Sequence, residues 1–391
     1  MNKTLTILTF LISLNLCSQN KIEYLEQNRF DMENPDFVFP ETDFNIIGFG
    51  AYHGSAKTYD AEFQLIKSLK EQNALDYYVP ETNFSQAFFF QQYLETGDEE
   101  LLKELVSVHY TYVPQDASVE TFNHWKKLRE LNQKYEENPI KVIGFDVTSG
   151  IYKFPIKHIL LLTENIQNWK ANDELKKYVP FSIAEFDENY DEIEQALKNF
   201  INDYETNKTL YADKIKDIFV FEHILKNIAY NFPEKRDREK IIFDNYVYLK
   251  NHYQLDTKKQ FVKYGFFHIE KEREGNYPSF FTRLIEQNVY AKNKIITVMG
   301  YLTKSEVLWA KIRDKQGNYK TFITKKGYGI GDYWKERFKG IKNLKKAKLS
   351  DITLFKLNSE NSPYKNSADL IEINLFLKKD NPKLPKEKNT T

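Results

Sequence analysis

The chain has one cysteine, Cys17, in 391 residues, so no disulfide can staple it within itself. It has no excess of either charge. Lys and Arg together number 56, as do Asp and Glu, and a net charge of zero leaves no electrostatic footprint for nucleic acid. After the N-terminus no segment reaches roughly 18 apolar residues, so no later membrane span is read. No period of roughly 20 to 50 residues recurs, which sets aside repeat arrays. Two catalytic signatures are missing: there is no Gly-x-Ser-x-Gly elbow for a nucleophilic serine and no His-Glu-x-x-His helix for zinc. Glycine is scarce, at 14 residues, while Phe and Tyr number 30 and 26, a balance that points to a core and pockets built from rings or to a bias of the source genome.

What is present begins with the leader-like N-terminus, MNKTLTILTFLISLNLCSQNK, in which one early lysine precedes an apolar run from Leu5 to Leu16. This is a secretory signal pattern, too short for a stable anchor, and it predicts a leader over residues 1–18 and a protein exported to the periplasm or the medium. Leu16 is bulkier than the small residue that a lipoprotein site prefers, which favours plain cleavage near Ser18. Lipidation of Cys17 is the one route read here to a membrane.

Along the rest of the chain, strand-like and helix-like patterns alternate, which predicts an α/β fold: a mainly parallel (mixed) sheet flanked by helices. FNIIGFG (44–50), LDYYVPE (75–81), IKVIGFD (140–146), KQFVKYGFFH (259–268), KNKIITVMGY (292–301) and DITLFKL (351–357) read as strands. Ala61, Leu65, Ile66 and Leu69 form a helical stripe after the first, and Phe122, Trp125 and Leu128 another before the third. The expected organisation is a first half of the core over 19–150, a helical insertion or cap over 151–255, a second half over 256–378 and a disordered polar tail over 379–391.

Chemistry-bearing residues stand at the carboxyl ends of the predicted strands, where open α/β sheets bind ligands. His53 follows FNIIGFGAY, Glu81 closes LDYYVP, Asp146 closes IKVIGF and His268 closes FVKYGFF. Parallel neighbours would bring all four to one edge, giving two imidazoles and two carboxylates for acid and base work or for a metal. Each also has a plainer explanation, since histidines at strand ends cap and hydrogen-bond, and Glu81 and Asp146 could cap the helices that follow.

The ordered series GAYHG, VPETNFSQAFFFQQYLETGD, VIGFD, KRDREKIIFDN and GFFHI resembles the erythromycin esterase family, within a wider superfamily of Gly-x-x-His hydrolases that includes the TIKI and TraB metallopeptidases and the haem-binding ChaN lipoproteins. The resemblance covers roughly residues 44–270. It implies that His53 activates water, that Glu81 is the essential glutamate and that His268 is the second active-site histidine. It further implies that Arg236 and Asp237 open a helix lining the pocket and that Asp146 is the family's strand-end aspartate. Where those esterases carry Gly-Glu before the first histidine, this chain has Phe49 and Gly50, and where they carry His-Asn-x-His it has Gly265, Phe266, Phe267 and His268. Where they carry Thr-Arg-Glu after His-Gly, this chain has Ser55, Ala56 and Lys57, which leaves Lys57 as a shifted cation.

The leading expectation is a hydrolase in which His53 drives water onto an ester, lactone or amide of a small-molecule or peptide substrate, with Glu81 orienting it and His268 or Arg236 facing the oxyanion. Lys57, Asp146 and Asp237 are the candidate substrate-binding residues. In a metal variant, as in the TIKI-like peptidases, His53, Glu81 and His268 would ligate one divalent ion. The alternatives are a ChaN-like binder of haem or another small ligand, and a scaffold that has lost its activity.

Overall fold

The computed structural model describes residues 21–51, 53–109, 113–273, 275–302, 307–313, 319–324, 340–364 and 373–377. The leader expected over 1–18, Cys17 and the polar tail expected over 379–391 lie outside them.

The fold is α/β, with a mixed sheet flanked by helices. Among the described residues the strands are β1 (Arg29–Asp31), β2 (Ile46–Gly50), β3 (Tyr77–Pro80), β4 (Lys141–Val142), β5 (Gln260–Tyr264), β6 (Ile295–Leu302), β7 (Val307–Arg313), β8 (Tyr319–Thr324), β9 (Ile352–Lys356) and β10 (Ile373–Leu377). The longer helices include α1 (Ala56–Glu71), α2 (Phe84–Thr96), α3 (Glu99–Ser107), α4 (Val119–Lys134), α5 (Lys153–Leu162), α6 (Tyr190–Thr206), α7 (Ile218–Ala229), α8 (Arg238–His252) and α9 (Phe280–Glu286). The chain forms two compact units.

Among the described residues the first unit comprises those within Met1–Leu75, Lys263–Trp309 and Phe322–Lys383. Its strands run in the order β1-β9-β10-β6-β2. β6 pairs in parallel with β10 and with β2, whereas β9 is antiparallel to both β10 and β1. All eight residues of β6, IITVMGYL, are buried, as expected of a strand covered on both faces. The stripe of α1 is buried too: Ala61, Leu65, Ile66 and Leu69 are fully removed from solvent. β2 carries two glycines for a steric reason. A Cβ on Gly48 would stand 2.7 Å from the Phe281 ring, and one on Gly50 would stand 2.8 Å from Ile269.

Among the described residues the second unit comprises those within Asp76–Val262 and Ala310–Thr321. Its sheet order is β5-β3-β4, with β3 and β4 parallel and Tyr78 opposite Val142. Helix boundaries follow local chemistry. The Asn83 side chain accepts from Gln86 N to start α2, left-handed Gly97 (φ 75°) ends it, and the Asp98 side chain accepts from Glu100 N and Leu101 N to start α3. α2 packs on α4 through Phe90 and Trp125, stacked at 3.9 Å between centroids. Between β4 and β5, residues 151–255 carry helices and short helical turns and no strand.

Candidate active site

In the second unit the functional geometry starts from a proline. Pro80 closes β3, Thr82 N turns back to its carbonyl at 2.8 Å, and Asn83 caps α2 at once. Glu81 is left in a tight link between strand and helix. The neighbouring segment after β4 does not continue as a regular strand, although the sequence predicts one over 140–146. It rejoins the sheet only at Asp146, which bridges Asn83 in parallel and donates its N–H to Thr82 O at 3.1 Å. Gly144 allows this close approach: a Cβ there would lie 2.5 Å from Thr82 O and 2.6 Å from Asn83 O.

The approach brings Glu81 and Asp146 to one cation, Arg238, the first residue of α8. Arg238 Nε donates to Asp146 Oδ1 at 2.9 Å, and its Nη2 donates both to Asp146 Oδ2 and, at 2.7 Å, to Glu81 Oε1. The side chains are 7% exposed for Asp146, 15% for Glu81 and 38% for Arg238, so the ionic group opens to solvent on the arginine side. Burial works against the guanidinium charge, but the Asp146 and Glu81 carboxylates outweigh it and raise the pKa of Arg238. Two helices hold the segment from behind. Asn227 of α7 donates to Asp146 O and accepts from Thr148 N, both at 3.1 Å, and Asn245 of α8 donates to Phe145 O at 2.9 Å.

The residues just before Arg238 are placed differently. Arg236 is exposed and its guanidinium donates to the Asn231 side chain, while the Asp237 carboxylate caps α8 by accepting from Lys240 N at 3.0 Å. Sequence reasoning missed Arg238 because RDR offers two arginines within three residues. The signal that separates them is the cap: an aspartate before a helical run sits at the N-cap, which puts Arg238, not Arg236, on the helix.

In the first unit, both Gly-x-x-His motifs belong to the carboxyl end of β2. His53 lies three residues after Gly50, in a turn with Gly54 left-handed at φ 81°. His268 lies in a short helical turn, Phe266–Ile269, that packs against β2: a Cβ on Gly50 would meet Phe266 Cα at 3.1 Å and the Ile269 side chain. His268 is buried, its ring edge-on to Tyr264 at 5.5 Å. Lys57, on the first turn of α1, lies 3.6 Å from Glu33 and 3.8 Å from Asp60.

Two further histidines in the second unit escaped the sequence reading. His158 stacks on Phe88 at 4.0 Å and lies 3.3 Å from Ser85 Oγ, and His223 meets Phe84 edge-on at 5.1 Å with no partner at Nε2 among the described residues. Burial pushes both imidazoles down to about 3, His223 adding to the effect at His158 and Lys226 at His223.

No family model matches the chain, and no curated protein matches its sequence. Solved structures do match. The chain is similar to a protein from Bacillus cereus (TM-score 0.61, 14% identity, 95% of this chain and 99% of that one). It is equally similar to a succinoglycan biosynthesis protein (TM-score 0.60, 15%, 94% and 99%). It also matches a histidine-to-asparagine mutant of the erythromycin esterase EreC in its open conformation (TM-score 0.58, 11%, 88% and 92%). This chain has the fold of an erythromycin esterase. At these identities the likeness to EreC is one of architecture, so the chemistry has to be argued from the residues themselves.

Among the described residues no group of three or more His, Cys, Asp or Glu side chains is arranged to hold a metal ion. Glu81, an expected ligand, already faces a guanidinium. No helix among the described residues is long and apolar enough to cross a membrane.

Proposed function

We propose that the protein is a hydrolase that directs water onto an ester, lactone or amide bond, assisted by His53 as general base and by the Glu81 carboxylate. The observation that carries this reading is the Glu81–Arg238–Asp146 constellation. One bidentate carboxylate already balances the guanidinium charge. Here Asp146 takes the bidentate position and Glu81 is a second negative charge held in a fixed direction by the same cation. Fixed charge of that kind stabilises a positive group that develops during reaction, without reorganisation when it does.

In the proposed step a water proton moves to an imidazole nitrogen of His53 as the water oxygen bonds to the carbonyl carbon. His268 faces the oxygen that gains negative charge, and collapse of the tetrahedral species returns the proton to the leaving alcohol or amine. Imidazole suits the role because its ordinary pKa, about 6.5, lies near neutrality. Arg238 is a positioning residue for Glu81. The EreC-like fold supports the ester or lactone class over the others.

The test is a hydrolysis screen of the purified full chain on aryl esters, lactones and short peptides, with and without added divalent metal. Turnover of an ester or lactone without added metal supports the reading. No turnover of any class, together with a Soret band in the purified protein, would replace it with the haem-binding one.

A further inference from the structure

We infer that the second unit carries a separate binding site for a small aromatic zwitterion, a molecule with one ring, one carboxylate and one ammonium group, in a cleft lined by α2, β3, β4 and Tyr253. The cleft has a volume of about 250 Å³. That is too small for a drug-sized ligand, which occupies roughly 300–1,000 Å³, but larger than the roughly 150 Å³ cavity that accepts benzene, so it fits a single ring with a short polar chain.

The walls are aromatic and fixed. Phe84 and Phe88 lie four residues apart on one face of α2, and Tyr77 and Tyr253 complete the ring lining, Tyr253 tilted against Phe84 at 6.2 Å between centroids. Phe88 is 40% exposed, unusual for a phenylalanine, yet its ring is not loose, because the buried His158 stacks beneath it. One ring face is therefore held towards solvent at the cleft. The Tyr77 and Tyr253 side chains add two phenol hydroxyls, neither of which makes a hydrogen bond within the protein among the described residues.

The rim supplies the charges. Gln91 is locked in place: its Oε1 accepts from Val142 N at 2.9 Å, capping the outward N–H of β4, and its Nε2 donates to Glu95 Oε1 at 2.7 Å. Glu95 is thereby pinned on one side of the cleft, and Lys141 of β4 stands on its lining as well. Neither forms an ion pair among the described residues. Two opposite charges left unpaired on the lining of an aromatic cleft match a ligand that carries both signs. Its ammonium would meet Glu95, its carboxylate Lys141, and its ring the face of Phe88.

The site is separate from the proposed chemistry. Tyr77 opens β3 and Glu81 follows its last residue, so the two are about 13 Å apart along the strand, at roughly 3.3 Å per residue. Nothing in the proposed hydrolysis uses the lining residues.

Isothermal titration of the full chain with L-phenylalanine, 3-phenylpropanoate and 2-phenylethylamine tests the inference. Saturable binding of phenylalanine is expected, with each singly charged analogue weaker by about tenfold, the loss of one charge-assisted hydrogen bond. Lys141→Ala, at an exposed position, should weaken phenylalanine by about tenfold and leave 2-phenylethylamine within about twofold. Phe88→Ala, with its melting temperature checked, should weaken all three. The inference is overturned if phenylalanine does not bind, binds no tighter than the analogues, or binds Lys141→Ala and Phe88→Ala as it binds wild type.

Discussion

Arg238 Nη2 lies 2.7 Å from Glu81 Oε1 and donates at the same time to Asp146, so one guanidinium ties together two carboxylates 157 and 92 residues away from it in sequence. Removing one partner of a fully buried pair costs about 3–5 kcal/mol, and the 38% exposure of Arg238 places its contribution below that range. Arg238→Ala is therefore expected to destabilise the protein by about 1–3 kcal/mol in urea unfolding, whereas Arg236→Ala, at an exposed loop position, should stay within about 0.5 kcal/mol of wild type. Equal effects of the two substitutions would show that the pairing does not hold in solution.

Gly144 makes a second prediction. Its side-chain position is occupied by backbone, with Thr82 O at 2.5 Å, and backbone cannot rotate away. Gly144→Ala should cost about 1–3 kcal/mol and weaken any activity that depends on the Asp146 side chain, the scale of overpacking in a tight site. Gly265→Ala is the control, since a Cβ there would only touch His268 Cδ2 at an ordinary 3.5 Å. Urea midpoints that fall alike for both would refute the steric account.

The buried histidines give a pH dependence with a definite sign. His158 and His223 titrate at about 3 in the folded chain, below the unfolded value near 6.5, so between these limits the unfolded state binds more protons. Stability is full above about pH 6.5 and falls as pH drops towards 3, by up to about 1.4 kcal/mol per pH unit for each histidine. Urea midpoints measured at pH 7 and pH 5 should converge for a His158→Gln, His223→Gln double variant. An unchanged pH slope in that variant would assign the acid sensitivity elsewhere.

The sequence made the strand ends legible because they follow apolar runs that could only be buried strands: FNIIGFG, LDYYVP and FVKYGFF each yield a strand within a few residues of the expected one. Glu81 and Asp146, which follow the parallel neighbours β3 and β4, both pair with Arg238. The cation that joins them was missed, since a long-range contact leaves no local pattern and only the N-cap position of Asp237 separates Arg238 from Arg236. β4 was overread for a related reason. IKVIGFD has strand propensity throughout, but Gly144 lets the chain leave the ladder after Val142 and return at Asp146, a shape set by the Thr82–Asn83 backbone rather than by propensity. β1, with its charged RFD, and the aromatic cleft beside β4 were invisible because both depend on which elements become neighbours.

The central claim is that His53 and Glu81 turn over substrate while Glu81 is held by Arg238. The direct measurement is kcat for Glu81→Gln and His53→Ala on the best ester or lactone from the screen, with melting temperatures taken alongside. Loss of general base catalysis lowers rate by a factor on the order of 100 to 10,000, and that fall is expected for His53→Ala, with a similar direction for Glu81→Gln and melting temperatures close to wild type. Wild-type kcat in His53→Ala, or a Glu81→Gln variant that loses stability and keeps its rate, would contradict the account.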